Sequence, residues 1–564
     1  MNQRGLLMPA PDSTRVLQRL RALQAKEGFV SPAAVTALAA ELGLPRARVE
    51  GVATFYSLLS TGPAAPYRVL FADDITDRFA GSVELARRLA ARAPSATVGT
   101  TSCTGLCDQG PALLVAGRAI ARLDEPRIDL VAQLIEAQRP VADWPAELFT
   151  VHDFVGHGGP LLDTRGDALA AAHALGADGM LAELQRSGLR GRGGAGFETH
   201  TKWAAARAAP GPERYVVCNA DEGEPGTFKD RVLLSKRLDL VLDGLAIAAL
   251  CIGAQKALIY LRGEYEFLAG PIERALAARR SSGLDLELHL GAGAYVCGEE
   301  SALLESLEGK RGIPRNRPPY PATHGYLGKP TAVNNVETLA CVALIALKGG
   351  AWFSSLGVPG STGTRLHSVS GDVARPGVYE LPLGASVSGL LELAGAEEVQ
   401  AVQVGGPSGT LLGPHELGRA LTFADVPTAG ACVVFDGRRD LLEVVANSSR
   451  FFAHESCGFC TPCRVGTAQL ARAVDALAAG RGTRRDVRHA RQLAGLMRAA
   501  SHCGLGQTAG RPFTQLDEKF RPTLERALSS LEFRPTFDLD EALAPARQLT
   551  GRDDLLAHLE EHEP

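Results

Sequence analysis

At 564 residues the chain is too long for one compact domain, and a prior of roughly 150 residues per domain suggests about three to five units. Hydrophobic residues make up 45% and charged residues 22%, so each unit can bury a core, and a formal net charge of -4 offers no field to attract nucleic acid. The N-terminus MNQRGLLMPAPDSTR lacks a signal-like apolar region, and the greasiest stretch, Leu238 to Leu261, is interrupted by Asp239, Asp243, Gln255 and Lys256, so no membrane span and a cytoplasmic location are expected.

Residues 1–60 read as a helical unit. Leu17, Leu20 and Leu23 recur at helical spacing, and Ser31-Pro32 is an N-cap followed by proline at the first helical position. Residues 61–136 change to short strands, Tyr67 to Phe71 and a hairpin from Ala112 to Leu123 turning at Ala116-Gly117, with a helix from Val83 to Arg92 between them. Residues 137–165, rich in Pro, Gly, Asp and His without periodicity, have linker composition. From 166 to 350 helices alternate with buried strands at Tyr215 to Cys218, Ala257 to Arg262 and Leu284 to Leu290, which predicts an α/β layered domain. Residues 351–437 predict a compact β-rich insert, residues 438–532 a helical region, and 533–564 a tail.

Eleven cysteines are distributed unevenly, and the clustering suggests metal rather than disulfides. Cys457-Gly-Phe-Cys460-Thr-Pro-Cys463 lets three thiolates converge on three corners of a cubane from one turn and the start of a helix. The fourth ligand must come from elsewhere, and Cys503 in SHCGLG is the candidate; Cys432, inside the apolar run ACVVF, is a weaker one. The alternative is a four-thiolate zinc site, but zinc sites usually draw two ligands from each of two knuckles, so the spacing points to a [4Fe-4S] cluster.

Gly188-Leu-Arg190-Gly191-Arg192-Gly193-Gly194-Ala-Gly196-Phe197 contains a G-x-G-x-x-G pattern. A dinucleotide fingerprint must follow a strand, whereas Met180 to Ser187 reads as helix. Two readings stay open: a glycine-rich surface turn, or a loop whose bare backbone approaches a phosphate with Arg190, Arg192 and Lys202 nearby. The strand Tyr215 to Cys218 runs into Asn219-Ala-Asp221-Glu222-Gly-Glu224, placing an amide and three carboxylates where open α/β sheets bind ligands. Tyr295-Val-Cys-Gly298-Glu299-Glu300 again joins a strand to a helix with acids at its start. Helix capping explains one of those glutamates more readily than two. Asn334-Asn335 is placed to cap the next helix or to hold a phosphate.

GRGGAGF, CNADEGEPGTFKDR, GAGAYVCGEES, GKPTAVNNVETL and ESCGFCTPCRVG, in this order, resemble the NADH-binding flavoproteins of complex I. The resemblance implies an α/β multidomain chain with a Rossmann-like FMN/NADH domain, a ubiquitin-like β-grasp insert, and a C-terminal helical bundle carrying one [4Fe-4S] cluster on Cys457, Cys460, Cys463 and Cys503. It implies FMN held by the glycine loop (Gly191, Arg192, Gly193, Gly194) with Lys202, Asn219, Asp221, Glu222, Tyr295, Gly298, Asn334 and Asn335. NAD(H) would stack near Glu224, Glu299 and Glu300, with adenine against Phe197 and Tyr320; Glu222, Glu224 and Glu300 are the acids expected beside the reacting ring. The chain departs from the family at Ala205, where relatives often carry a second stacking aromatic, and at Tyr320, where Phe is common.

Residues 13–130 separately resemble the thioredoxin-like partner subunit of complex I through GVATFYSLL and Cys103-Thr-Gly-Leu-Cys107, with its first cysteine pair replaced by LFADDITDRFAG. The expectation is therefore a docking module without a [2Fe-2S] cluster. The fusion, with RGEYEFL, GYLGKP and FDLDEAL, most resembles the diaphorase flavoprotein of bidirectional NAD-reducing [NiFe] hydrogenases, which implies an iron-sulfur electron-transfer subunit and a catalytic hydrogenase module as partners. NAD-dependent formate dehydrogenases and complex I subunits share most of the motifs. A rival of another class is a non-catalytic zinc scaffold, which would be colourless where the flavoprotein is yellow-brown.

Overall fold

The computed structural model describes residues 15–63, 65–279, 283–529 and 539–553. The first fourteen residues and most of the tail, including the start of FDLDEAL, lie outside these ranges.

Three helices open the chain, Val16–Glu27, Pro32–Glu41 and Arg46–Ala53. The Ser31 hydroxyl accepts from the Ala34 amide at 3.1 Å, the predicted cap. Their apolar faces share a core with Val217, Leu258 and Tyr260 of the large α/β domain. The segment that follows is stitched to that domain as well: Tyr56 donates to Ser306 Oγ at 2.7 Å, and the amides of Ser57 and Leu58 donate to the carbonyls of Gly293 and Ala292 at 2.9 Å each.

The next unit has a four-stranded sheet in the order Ala96–Thr101, Tyr67–Ala72, Leu113–Val115, Arg118–Ile120, with the first pair parallel. The hairpin turns at Ala116 and Gly117, whose φ values of 48° and 73° match a type I′ turn. The Ala96–Thr101 strand escapes the sequence pattern because ATVGTT carries no large apolar residue and is only half buried.

The central domain holds a parallel sheet in the order Asp285–Leu290, Lys256–Leu261, Tyr215–Ala220, Thr331–Asn335. Helices Ala168–Ser187, Leu238–Ile252 and Val336–Lys348 pack together over it. The approach of the last two is close: a Cβ on Gly244 would lie 1.9 Å from the Leu339 carbonyl oxygen. The fourth strand, Thr331–Asn335, lies where the sequence suggested a helix cap or a phosphate site rather than a strand. Asn335 both ends the strand and accepts from the Glu337 amide at 3.0 Å.

The insert forms a mixed six-stranded sheet in the order Thr410–Leu412, Val399–Val404, Ala431–Asp436, Thr364–Gly371, Gly377–Pro382, Val155–His157, with helix Val387–Ala394 against it. Its edge strand, Val155–His157, comes from the stretch read as linker and pairs parallel with Gly377–Pro382. Docking supplies that strand, because VGH alone carries no strand signal. Six helices from Leu441 to Arg526 complete the C-terminal region, and Leu539–Thr550 forms a further helix. Among the described residues no helix is long and apolar enough to cross a membrane.

Candidate functional site

The predicted ligand-binding residues gather at the carboxyl ends of the parallel strands. Asn219 and Asn335 face each other in register, since Tyr215–Ala220 pairs with Thr331–Asn335. Trp203 Nε1 donates to Asn334 Oδ1 at 2.8 Å, and Asn335 Nδ2 donates to Asp230 Oδ2 at 2.6 Å. The glycine loop closes on itself through Gly191 N to Phe197 O at 2.8 Å. Gly193 lies flush against Asn335, where a Cβ would come within 3.1 Å of the asparagine Cβ, and Gly194 and Gly196 adopt positive φ of 114° and 63°. The loop thus follows a helix, as the sequence indicated, and presents bare backbone to the end of the sheet.

The two arginines of that loop do not line it. Arg192 is fully buried, donating from Nη2 to Thr362 O at 2.7 Å and lying near Phe353 and Phe423, while Arg190 donates to Gly196 O at 2.6 Å and covers the Phe423 ring. The cation beside the loop is Lys202, which donates to Glu300 Oε2 at 2.8 Å and Val333 O at 3.1 Å.

The acidic loop divides by role. Asn219 bridges its own loop to the next, donating from Nδ2 to Gly298 O at 2.9 Å and accepting from the Asp221 amide at 3.1 Å. Asp221 Oδ2 is buried without a hydrogen-bond partner, and burial holds that carboxyl well above its ordinary range. Glu222 has both oxygens engaged within the protein: Oε1 accepts from the Asp230 amide, Oε2 from the Arg231 amide and from Tyr265 Oη. It caps the helix Lys229–Lys236, which fixes the loop. Glu224 accepts from Tyr295 Oη at 2.5 Å and from the Ser408 amide at 2.7 Å, and burial raises its carboxyl to about 7.

Of the glutamate pair, Glu299 caps the helix Glu300–Leu307 through the amides of Ser301 and Ala302 and forms an ion pair with Arg317 at 3.3 Å, so capping accounts for this one. Glu300 is left to face Lys202. Phe197 and Tyr320 are 54% and 58% exposed, among the most exposed large apolar side chains of the described residues.

The four predicted metal-site cysteines, Cys457, Cys460, Cys463 and Cys503, line one small cavity with Pro314, Phe459, His502 and Leu505. Cys460 stands at the N-cap of helix Thr461–Ala478 with Cys463 in its first turn, and Cys503 heads Gly504–Thr508. Two thiolates on a single tetrahedral ion with bonds of about 2.3 Å sit about 3.8 Å apart. Among the described residues no three of these sulfurs come within 4.8 Å of one another, a wider spread that suits thiolates on separate irons. Cys432 lies buried in its strand and faces none of them.

Sequence reasoning missed the residues that tie the cleft to its surroundings. Glu455, two positions before Cys457, accepts from the Tyr295 amide at 2.9 Å and from Ser102 Oγ at 2.5 Å. Tyr295 also packs on Phe451 at 5.0 Å, so the cleft touches the helix Leu441–Glu455 that leads to the cluster cysteines. Arg231, fully buried, donates to both oxygens of Asp108 at 3.1 and 2.8 Å, and Arg262 donates to Cys103 O at 2.6 Å and to Glu222 O. An acid just ahead of the first cysteine was the only available signal for Glu455.

A fold of parallel strands with glycine and acidic loops at their carboxyl ends, followed by a four-cysteine helical region, defines a component of a flavin- and iron-sulfur-dependent dehydrogenase. Family descriptions match accordingly: the Nuo51 FMN-binding domain over residues 184–344, the NADH-ubiquinone oxidoreductase-F iron-sulfur binding region over 443–527, the SLBB domain over 368–411, and the thioredoxin-like [2Fe-2S] ferredoxin over 8–136. The chain belongs to the family of the NAD-reducing hydrogenase HoxS subunit alpha of Cupriavidus necator, to which it is 39% identical over 98% of its own length and 97% of that protein's. It is also 40% identical to an NADH-quinone oxidoreductase chain of Rhizobium meliloti, over 60% of this chain and 86% of the relative. A chain of the NAD+-reducing [NiFe]-hydrogenase crystal structure in the H2-reduced state superposes with a TM-score of 0.91 at 46% identity, covering 99% of both chains.

The [2Fe-2S] ferredoxin match over residues 8–136 overturns the expectation that the N-terminal unit carries no [2Fe-2S] cluster. That expectation counted thiolates alone. The structure places Asp74 beside Cys103 and Cys107, with one ligand atom from each lying within 4.8 Å of the others, so the donor set is larger than the cysteine count.

Proposed function

We propose that the chain is the NAD(H)-oxidising diaphorase subunit of a cytoplasmic NAD-reducing [NiFe] hydrogenase, docked to an iron-sulfur electron-transfer subunit and a hydrogenase module. The observation that carries this reading is the extent of the likeness. The hydrogenase relatives align over 98% and 99% of this chain, fused N-terminal units included, whereas the NADH-quinone oxidoreductase relative spans only 60% of it.

The residues fit the cofactors. Backbone at Gly191, Gly193 and Gly194, with Lys202, Asn334 and Asn335, would hold the FMN phosphate and ribityl chain; Asn219, Asp221, Tyr295 and Gly298 would frame its ring. The buried, unpartnered Asp221 Oδ2 is a hydrogen-bond acceptor or, protonated, a donor that awaits such a ligand. When bound, FMN supplies the exchange between the two-electron chemistry of NAD(H) and the one-electron chemistry of the [4Fe-4S] cluster.

The chain's own residues bind, orient and tune. Phe197 and Tyr320 would take the adenine between exposed rings, and Glu224, held by Tyr295 and Ser408, would orient the nicotinamide. Glu222 serves as a positioning residue, since its oxygens fix the acidic loop to the helix behind it. Glu300 holds Lys202 at the cleft, and the acids together disfavour the extra phosphate of NADPH by like-charge repulsion. Glu455 clamps Tyr295 to the cluster helix, keeping the two redox sites in fixed relation.

The full chain, purified anaerobically, is expected to be yellow-brown and to reduce ferricyanide with NADH when FMN is present. A colourless protein containing zinc and lacking this activity would overturn the assignment.

A further inference from the structure

The segment 262–268, RGEYEFL, follows the strand Lys256–Leu261 and meets the N-terminal units repeatedly. Arg262 Nη2 donates to Cys103 O at 2.6 Å, and Glu266 pairs with Arg21 at 2.9 Å. Gly263 lies flush against Leu58, where a Cβ would come within 2.6 Å of the leucine Cδ1. Phe267 packs against the apolar cluster of Leu70, Leu106 and Leu114. Tyr265 is fully buried against bare backbone, since a Cβ on Gly105 would lie 2.3 Å from its hydroxyl oxygen.

Two residues of this segment also hold Glu222 of the acidic loop. Arg262 Nη1 donates to Glu222 O, and Tyr265 Oη donates to Glu222 Oε2 at 2.9 Å. Glu264 accepts from Arg262 Nε at 3.1 Å, which leaves the two Nη groups for the carbonyls of Cys103 and Glu222. Arg231 closes the bracket from the other side. Its amide donates to Glu222 Oε2 at 3.1 Å, while its guanidinium donates to Gly105 O at 3.1 Å and to Asp108. Three buried residues are thus shared between Glu222 and the loop 103–108. Withdrawing that loop would leave two buried guanidinium groups short of acceptors, which is costly, so the acidic loop keeps its shape only while the loop 103–108 is in place.

We infer that Arg262 and Tyr265 are positioning residues of the flavin site, through which the loop 103–108 of the N-terminal unit holds Glu222 and the neighbouring Asp221 in ligand-binding geometry. The inference rests on the FMN reading of the cleft and extends that site across the boundary between units. It gives RGEYEFL a role that the flavin contacts alone do not: the N-terminal unit forms an outer wall of the cleft.

The test is the FMN dissociation constant of the full chain, read by flavin fluorescence, together with the FMN midpoint potential at saturating flavin. Tyr265→Phe removes one hydroxyl and should weaken FMN binding about tenfold and move the midpoint away from the wild-type value. Gly105→Ala lies in the other unit but drives a methyl into the Tyr265 hydroxyl, so it should weaken FMN binding as well. The double variant should be no weaker than Gly105→Ala alone, because both changes remove the same contact. Glu266→Ala loses a docking ion pair that does not touch Glu222, and should bind FMN within about twofold of the wild type with an unchanged midpoint. If Gly105→Ala does not fold, Tyr265→Phe compared with Glu266→Ala decides the matter. Wild-type affinity and midpoint in Tyr265→Phe, losses that multiply in the double variant, or an equal loss in Glu266→Ala would overturn the inference. A wild-type chain that binds no FMN would instead count against the flavin reading itself.

Discussion

Replacing Glu224 by Gln isolates the electrostatic cost built into the cleft. Burial lifts the Glu224 carboxyl from an ordinary 4.5 to about 7, and the hydrogen bonds from Tyr295 and Ser408 only partly oppose that. Because the folded value lies above the unfolded one, the associated stability is fully present below pH 4.5 and is lost as pH rises to about 7. The loss amounts to about 3 kcal/mol, at about 1.36 kcal/mol per pH unit. Gln keeps an oxygen for the Ser408 amide and cannot ionise, so the variant escapes this loss. Thermal unfolding of the flavin-free chain, followed for wild type and E224Q from about pH 4.5 to about pH 8, should show the variant gaining on the wild type as pH rises. At about 2–4 °C per kcal/mol for a domain of this size, the gap should open by roughly 6–12 °C. A difference that stays constant across this range would refute the burial of the Glu224 carboxyl away from water.

Cys503→Ala should remove about four irons per chain and abolish electron delivery beyond the flavin while leaving FMN binding intact, as checked by iron quantification and flavin fluorescence. Glu300→Gln frees Lys202 and removes one charge from the cleft, so the ratio of kcat/KM for NADPH over NADH should rise about tenfold, about 1.4 kcal/mol. Phe197→Ala should raise KM for NADH several-fold with little effect on kcat, as loss of one stacking contact of about 0.5–1.5 kcal/mol requires. Arg231→Met leaves Asp108 buried and unpaired, so it should destabilise the docking of the N-terminal unit by about 3–5 kcal/mol, seen as faster proteolysis in the 137–165 connection, and Asp108→Asn should recover part of that loss.

The loops proposed to carry the chemistry were legible because their residue types are unusual: glycines in close succession after a helix, acids in a row at a strand's end, and cysteines closely spaced. What the sequence could not show were contacts across long separations. Ser408 reaches Glu224 from the insert, Glu455 reaches Tyr295 from the cluster helix, and Arg231 reaches back to Asp108, each over more than a hundred positions. Arg192 illustrates the limit in the other direction. Its place in a glycine loop suggested a phosphate ligand, but the insert docks over it and buries it among Phe353 and Phe423. The Thr331–Asn335 strand was missed because TAVNN is short and its asparagines resemble a cap, which Asn335 also is. In the N-terminal unit, counting cysteines hid Asp74, whose caps look ordinary in sequence and whose buried second oxygen appears only in three dimensions.

The most direct test of the central claim is NAD+ reduction by the complex purified natively through a tag on this chain, with hydrogen and formate compared as electron donors. Hydrogen should drive formation of NADH, in a reaction that requires FMN. Reduction driven by formate and not by hydrogen, or by neither, would contradict the hydrogenase assignment.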